Sequence, residues 1–314
     1  MARHVSVLKD RCIDLLSPGI ERSPKPVVVD ATLGLGGHTE ALLEKFAQLT
    51  VIGIDRDQSA LMQAQERLSK FGARFIAVHA PFDEISMIVT AQGFTQIDGA
   101  LFDLGVSSMQ LDEIDRGFSY AHDAPLDMRM DKNQSLTAAE IVNSYEPARL
   151  TSILRTYGEE KFASSIVSNI VRARSKAYIN STATLVDIIK ASIPAPARRT
   201  AGNPAKRTFQ ALRIETNDEL GLIKRAIPEA LSLINVGARV VVMSFQSLED
   251  KIIKEIFTQA AQSKSPAKLP VEIVELKAKF SLVTKGAEKA SEEEILTNPR
   301  SQSVRLRAIE KVVA

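Results

Sequence analysis

The sequence predicts an α/β protein: a mostly parallel, doubly wound sheet interrupted by an inserted helical domain. Three observations carry this. Three of four short apolar runs end in an acidic residue, helix-like patterns alternate with them, and the fourth run at Asp103 is separated from the next convincing strand at Ala238 by far more than the ~30 residues of a βαβ unit. Val27-Val28-Val29 before Asp30 lacks polar alternation, as a strand covered on both faces should. A helix then starts near Gly37 and turns Ala41, Leu42 and Leu43 toward the sheet. Val51 to Ile54 ends in Asp55, and a helix follows around Ala60 to Ala64. Arg74 to Val78 and Ile97 to Asp103 continue the alternation. Inside the gap, Phe162, Ile166 and Ile170, and likewise Leu185, Ile188 and Ile189, recur at helical spacing. The expected division is a sheet domain of residues 1–116 and 216–314, with a helical domain at 117–215. Ala238 to Phe245 resumes the sheet, and Ser247-Leu248-Glu249-Asp250 reads as a capping box opening a helix. Val271 to Leu276 and Ser303 to Arg307 are two further strand candidates.

Composition narrows the function classes. Of 314 residues, 45% are hydrophobic and 25% charged, ordinary for a globular protein with ample core. The first residues lack a secretory apolar region and no later run approaches a membrane span, so a cytoplasmic protein with no membrane partner is expected. One cysteine, Cys12, rules out an internal disulfide and cysteine-rich zinc sites, and no metal is expected. A net charge of +2 is too small to declare a nucleic-acid partner, so any basic footprint must be local.

The loop Asp30-Ala31-Thr32-Leu33-Gly34-Leu35-Gly36-Gly37-His38-Thr39 lies between a strand and a helix start, where backbone approaches phosphate-like or nucleoside ligands closely. The third glycine of the dinucleotide fingerprint is replaced by Thr39, which counts against NAD. Asp55 stands at the usual distance of about 20 residues for a carboxylate that accepts ribose hydroxyls. Phe82 can flank an adenine, and Asp103 can accept from a ligand amine or from the substrate. Each also has a bland reading: strand-end aspartates cap helices, Phe82 packs in a core, and His38 bonds backbone. Their convergence on one sheet edge favours S-adenosylmethionine over NAD.

Asp103-Leu104-Gly105-Val106-Ser107-Ser108-Met109-Gln110-Leu111-Asp112 resembles the DLGVSSxQLD signature of the bacterial ribosomal small-subunit methyltransferase H (MraW) family. Arg116 to Ser119, Pro125 to Asp131, Tyr157 to Glu160, Arg207 to Ile214, Ser247 to Asp250 and Asn298 to Ser301 look like further family motifs in the expected order, so the likeness spans nearly the whole chain. The resemblance implies a Rossmann-like class I methyltransferase domain with a helical insertion. It implies an enzyme that uses S-adenosylmethionine to methylate the exocyclic N4 of one cytidine, conventionally position 1402, in 16S ribosomal RNA of the small subunit. Carried over, the cofactor contacts are Gly36, Gly37, His38, Asp55, Phe82, Asp103 and Gln110. The chain departs from the family pattern at Gln246, where histidine is usual, at Lys206, Ser6 and Gln302, and in the tail at Thr284 to Ala287.

The cytosine amine is a poor nucleophile because its lone pair is delocalised, so Asp103 is the expected acceptor for the target amine. C5 methylation typically needs a cysteine nucleophile, and Cys12 lies far in sequence from every strand-end motif. The stretch from Arg198 to Arg213 holds Arg198, Arg199, Lys206, Arg207 and Arg213 without an acid and suits phosphate contact, the bland alternative being a solvated face. Arg172, Arg174 and Lys176 form a second basic cluster. Residues 116–130 are expected to shape the target-base pocket, although Asp127, Arg129 and Asp131 also read as an interdomain ion-pair network. A homodimer is compatible with the sequence. The competing readings are an NAD-dependent oxidoreductase and a non-catalytic RNA-binding protein that retains the fold.

Overall fold

A computed structural model describes residues 6–200, 203–263, 265 and 277–313, with only the backbone described at 108 and 198–200. The chain forms two compact units, one built from the described residues up to Gly105 and from Leu220 onward, the other from Val106 to Glu219.

The first unit opens with α1 (Lys9–Arg22), which buries Cys12, Leu15, Leu16 and Ile20. β1 (Val27–Asp30) is buried at all four positions, so its unbroken β-branched run is that of a strand covered on both faces. α2 (Gly37–Lys45), β2 (Thr50–Asp55), α3 (Gln58–Leu68), β3 (Phe75–His79), α4 (Ile85–Ala91) and β4 (Ile97–Asp103) follow in the expected alternation. α3 is capped by Asp57, whose side chain accepts from the Ser59 amide at 3.1 Å and satisfies one of the free N–H groups of the first turn.

The second unit is helical: α5 (Ser108–Asp112), α6 (Ala138–Ser144), α7 (Pro147–Thr156), α8 (Ala163–Arg174), α9 (Thr182–Ser192), α10 (Ala195–Thr200) and α11 (Lys206–Asn217). Ile166, Ile170, Leu185 and Ile189 meet Leu150, Leu154 and Leu212 in its core, so the helical periodicity marks the buried stripe. Its last residues are tied inward. The Asn217 side chain accepts from the Met130 amide at 2.8 Å and donates to the Met128 carbonyl at 2.7 Å, and Glu219 pairs with Arg213 at 2.8 Å. Asp127 pairs with Arg129 at 2.8 Å within this unit, and Asp131 accepts from the Asn133 amide.

The first unit resumes along α12 (Glu219–Leu233), then β5 (Ile234–Ser244), α13 (Ser247–Ala260), β6 (Phe280–Leu282), α14 (Glu292–Thr297) and β7 (Arg305–Lys311). The seven strands among the described residues are ordered β3-β2-β1-β4-β5-β7-β6. The first five are mutually parallel, while β7 runs antiparallel to both β5 and β6. The fold is therefore the mostly parallel α/β architecture expected. Two strands differ in extent. β5 starts four residues before Ala238, across Gly237 at φ 84° and an irregularity in its pairing with β4, and these interrupt the apolar pattern that signals a strand. The last strand occupies 305–311 rather than 303–307, because residues 299–303 form a 3₁₀ turn opened by Pro299. The candidate strand 271–276 lies outside the described residues. No described helix is long and apolar enough to cross a membrane. Among the described residues no group of three or more His, Cys, Asp or Glu is placed to hold a metal ion.

Candidate cofactor site and catalytic edge

Because β1 to β5 are parallel, Asp30, Asp55, His79, Asp103 and Ser244 end their strands on one edge. The chain order reverses between β1 and β4, which opens the crevice where α/β sheets bind ligands. The glycine loop after β1 and Asp103 at the end of β4 flank that crevice.

The loop is held by aspartates at both sides. Asp55 Oδ2 accepts from the Gly34 amide at 2.7 Å, and its other oxygen accepts from the Asp57 amide at 2.8 Å. Asp30, almost fully buried, accepts from the Thr39 hydroxyl at 2.7 Å and from the Thr32 amide at 3.4 Å. Gly34 at φ 52° and Gly36 at φ 75° take left-handed conformations that a side chain would strain. The Asp103 amide donates to the Thr32 hydroxyl at 2.6 Å, which ties β4 to the same loop. Burial pushes the carboxyls of Asp30, Asp55 and Asp103 up to about 6. For Asp103 the nearby His38 opposes that rise, while Asp30 and Glu249 reinforce it.

Asp103 is the chemically conspicuous group. Its Oδ1 is enclosed and has no hydrogen-bond partner, while Oδ2 lies 3.9 Å from His38 Nδ1, too far for a hydrogen bond. An enclosed carboxylate oxygen with nothing to accept from is costly unless a donor arrives. His38 is buried, with Nε2 3.0 Å from the Val7 carbonyl. Phe82 is half-buried and meets Phe102 edge-on, with ring centroids 5.8 Å apart.

The sequence carries no local signal of the parts that Asp30, Thr32, Thr39 and Val7 play. In the sequence Thr39 reads only as a missing glycine. In the structure it is fully buried and its hydroxyl fastens α2 to Asp30, so a glycine there would remove an anchor. Thr39→Gly is expected to weaken S-adenosylhomocysteine binding about tenfold without creating affinity for NAD, as read by titration calorimetry with each ligand.

The remaining expected positions have definite surroundings. Gln110, in the second unit, is buried and forms a capping box with Ser107 at the start of α5. Lys206 and Arg207 are exposed at the start of α11, with Arg207 also donating to the Glu159 carbonyl at 3.2 Å. Arg213 is engaged by Glu219, and Arg174 donates to the carbonyls of Val142 and Tyr145. The side chains of Arg198 and Arg199 lie outside the described residues. Gln246 sits at the start of α13, donating to Glu249 at 2.9 Å, so it supports a helix start.

A family model for MraW methylases matches residues 1–312. The chain belongs to the MraW methylase family. The ribosomal RNA small subunit methyltransferase H of Kocuria rhizophila is 52% identical over 310 residues, which cover 99% of this chain and 94% of that one. Its counterpart in Nocardioides sp. is 54% identical over 308 residues, covering 98% and 96%. The crystal structure of an rRNA methylase from Streptococcus thermophilus aligns with 98% of this chain and 99% of its own at a TM-score of 0.46 and 12% identity. Membership of a methylase family sets aside the dehydrogenase reading and makes the MraW chain an enzyme. S-adenosylmethionine fits the residues present. The left-handed glycine turn leaves bare backbone, Asp55 offers carboxylate oxygens at the second strand end, and Asp103 Oδ1 awaits a donor.

Proposed function

We propose that this methyltransferase transfers a methyl group from S-adenosylmethionine to the exocyclic N4 of a cytidine, position 1402, in 16S ribosomal RNA of the small ribosomal subunit. Asp103 carries the reading: an enclosed carboxylate oxygen without a partner, at the switch point beside the cofactor loop, suits a group that accepts from an N–H. The bound cofactor supplies an electrophilic methyl carbon on a sulfonium. Asp103 would accept from the target amine, which draws the proton away, leaves more electron density on the nitrogen and turns its lone pair toward that carbon. Once the N–C bond has formed at the expense of the S–CH3 bond, Asp103 would take up the amine's proton or pass it to water. Much of the rate comes from this orientation.

Cys12 supports attack by the amine over C5 methylation. The thiol is buried in the core against Met243 Sδ at 3.6 Å, and burial raises it well above its ordinary value, so it is no thiolate nucleophile. Gly36, Gly37, His38, Asp55, Phe82 and Gln110 are proposed to bind the cofactor. Arg198, Arg199, Lys206, Arg207 and Arg213 are proposed to contact RNA phosphates, with the exposed Lys206 and Arg207 best placed to do so. Arg213 must exchange its pairing with Glu219 for that role. The helical unit is proposed to recognise the RNA, and the cytoplasm is the proposed location.

Incubating small subunits that lack the modification with methyl-labelled S-adenosylmethionine tests the assignment: label is expected in 16S RNA, and its absence despite cofactor binding would defeat the substrate reading. A pH dependence also follows. Asp103 attracts the cationic cofactor only when ionised, so protonation below about pH 6 competes with binding. Affinity is expected to rise from about pH 5 to about pH 7 and then level off. A flat calorimetric profile over that range would remove the charge of Asp103 from cofactor binding.

A further inference from the structure

The first described residues lie along the cofactor loop, held there by a glutamate from near the end of the chain. The Leu8 amide donates to Glu294 Oε1 at 2.6 Å. Leu8 itself has φ 49° and ψ 32°, a left-handed conformation that a non-glycine residue keeps only where its surroundings over-determine it. That turn presents the Val7 carbonyl to His38 Nε2 at 3.0 Å. A carbonyl only accepts, so Nε2 carries the proton, and the other ring nitrogen faces Asp103 Oδ2 at 3.9 Å. One residue earlier, Ser6 Oγ occupies the space a Cβ on Gly37 would need, so residues 6–8 run directly against Gly37 and His38. Glu294 is itself fixed, since the Ser291 hydroxyl caps its amide at 3.2 Å. A second tie lies alongside, where Arg11 makes two 2.8 Å bonds to Glu288 and the Glu288 backbone exchanges two 2.9 Å bonds with Leu306.

We propose that Glu294 is a positioning residue for the cofactor site, acting through Leu8 and Val7 to fix the tautomer and orientation of the His38 ring. The proposal rests on the S-adenosylmethionine reading above. Without Glu294, the Leu8 amide loses its acceptor and the left-handed turn its anchor. Residues 6–8 must then be ordered when the ligand binds. The apparent dissociation constant rises by the inverse of the fraction of molecules already in the binding-competent arrangement.

Calorimetric titration with S-adenosylhomocysteine, the product, reads this without turnover. Glu294→Ala is expected to weaken binding about tenfold and to raise KM for S-adenosylmethionine by a similar factor, with kcat within about twofold of the parent. Glu294 is half-buried on a six-residue helix, so Tm should fall by no more than about 4 °C. Glu294→Gln keeps an acceptor oxygen and is expected to restore parental affinity. In imidazole NMR spectra, the Nε2-bound proton signal of His38 should be present in the parent and the Gln variant and lost by exchange in the Ala variant. Unchanged affinity and an unchanged His38 signal in Glu294→Ala would overturn the proposal, as would a Gln variant as weak as Ala. A parent protein that binds no S-adenosylhomocysteine would instead overturn the cofactor reading beneath it.

Discussion

Asp103→Asn is expected to cut turnover at least ~100-fold while changing S-adenosylhomocysteine affinity by about tenfold or less. The asymmetry follows from the geometry. Asp103 Oδ1 is enclosed and unpartnered, so the group it serves arrives with the reactants, whereas the fold already holds the Asp103 backbone through Thr32. Asparagine keeps the shape and one acceptor, but an amide is a weaker acceptor than a carboxylate and its N–H₂ can face the target amine donor to donor. The loss should therefore appear in kcat. Single-turnover kinetics with saturating cofactor would show it directly, and a variant with both turnover and affinity intact would end the role assigned to Asp103.

Gly36→Val is expected to abolish measurable cofactor binding, a loss of about 100-fold or more. Gly36 has φ 75° and ψ 20°, where a β-branched residue is a steric outlier, and the added Cβ would stand 2.8 Å from Leu68 Cδ1. The loop must leave its left-handed turn, which also pulls Gly34 from Asp55. Gly36→Ala meets the same Leu68 contact without the branch and should fall between parent and valine. Equal affinity in all three proteins would show that the turn does not shape the site.

Much of this was legible in the chain. β1 and β2 were readable because buried parallel strands are apolar runs, β3 and β4 because they continue the strand and helix alternation, and the inserted unit because its helices repeat at 3.6 residues. The strand-end edge proposed to hold the cofactor was readable because Asp55 and Asp103 end their strands. Other features left no local signal. The start of β5 is disguised by Asn235 and Gly237, and β6 is only three residues long. Asp30 looked like a strand terminator, and its part in anchoring Thr39 exists only once α2 folds back on β1. Glu294 meets Leu8 across nearly the whole chain length, and Val7 meets His38 across the whole of β1 and the loop after it, contacts that spacing cannot reveal. Arg213 and Arg174 read as free positive charge, yet each is occupied by a partner distant in sequence or beyond the next turn.

The most direct test is to locate the methyl group. Small ribosomal subunits lacking the modification are incubated with the protein and methyl-labelled S-adenosylmethionine, the 16S RNA is digested to nucleosides, and the labelled nucleoside is identified by mass spectrometry against synthetic standards. N4-methylcytidine is the predicted product. Label in C5-methylcytidine, or in no cytidine at all, would contradict the amine chemistry assigned to Asp103.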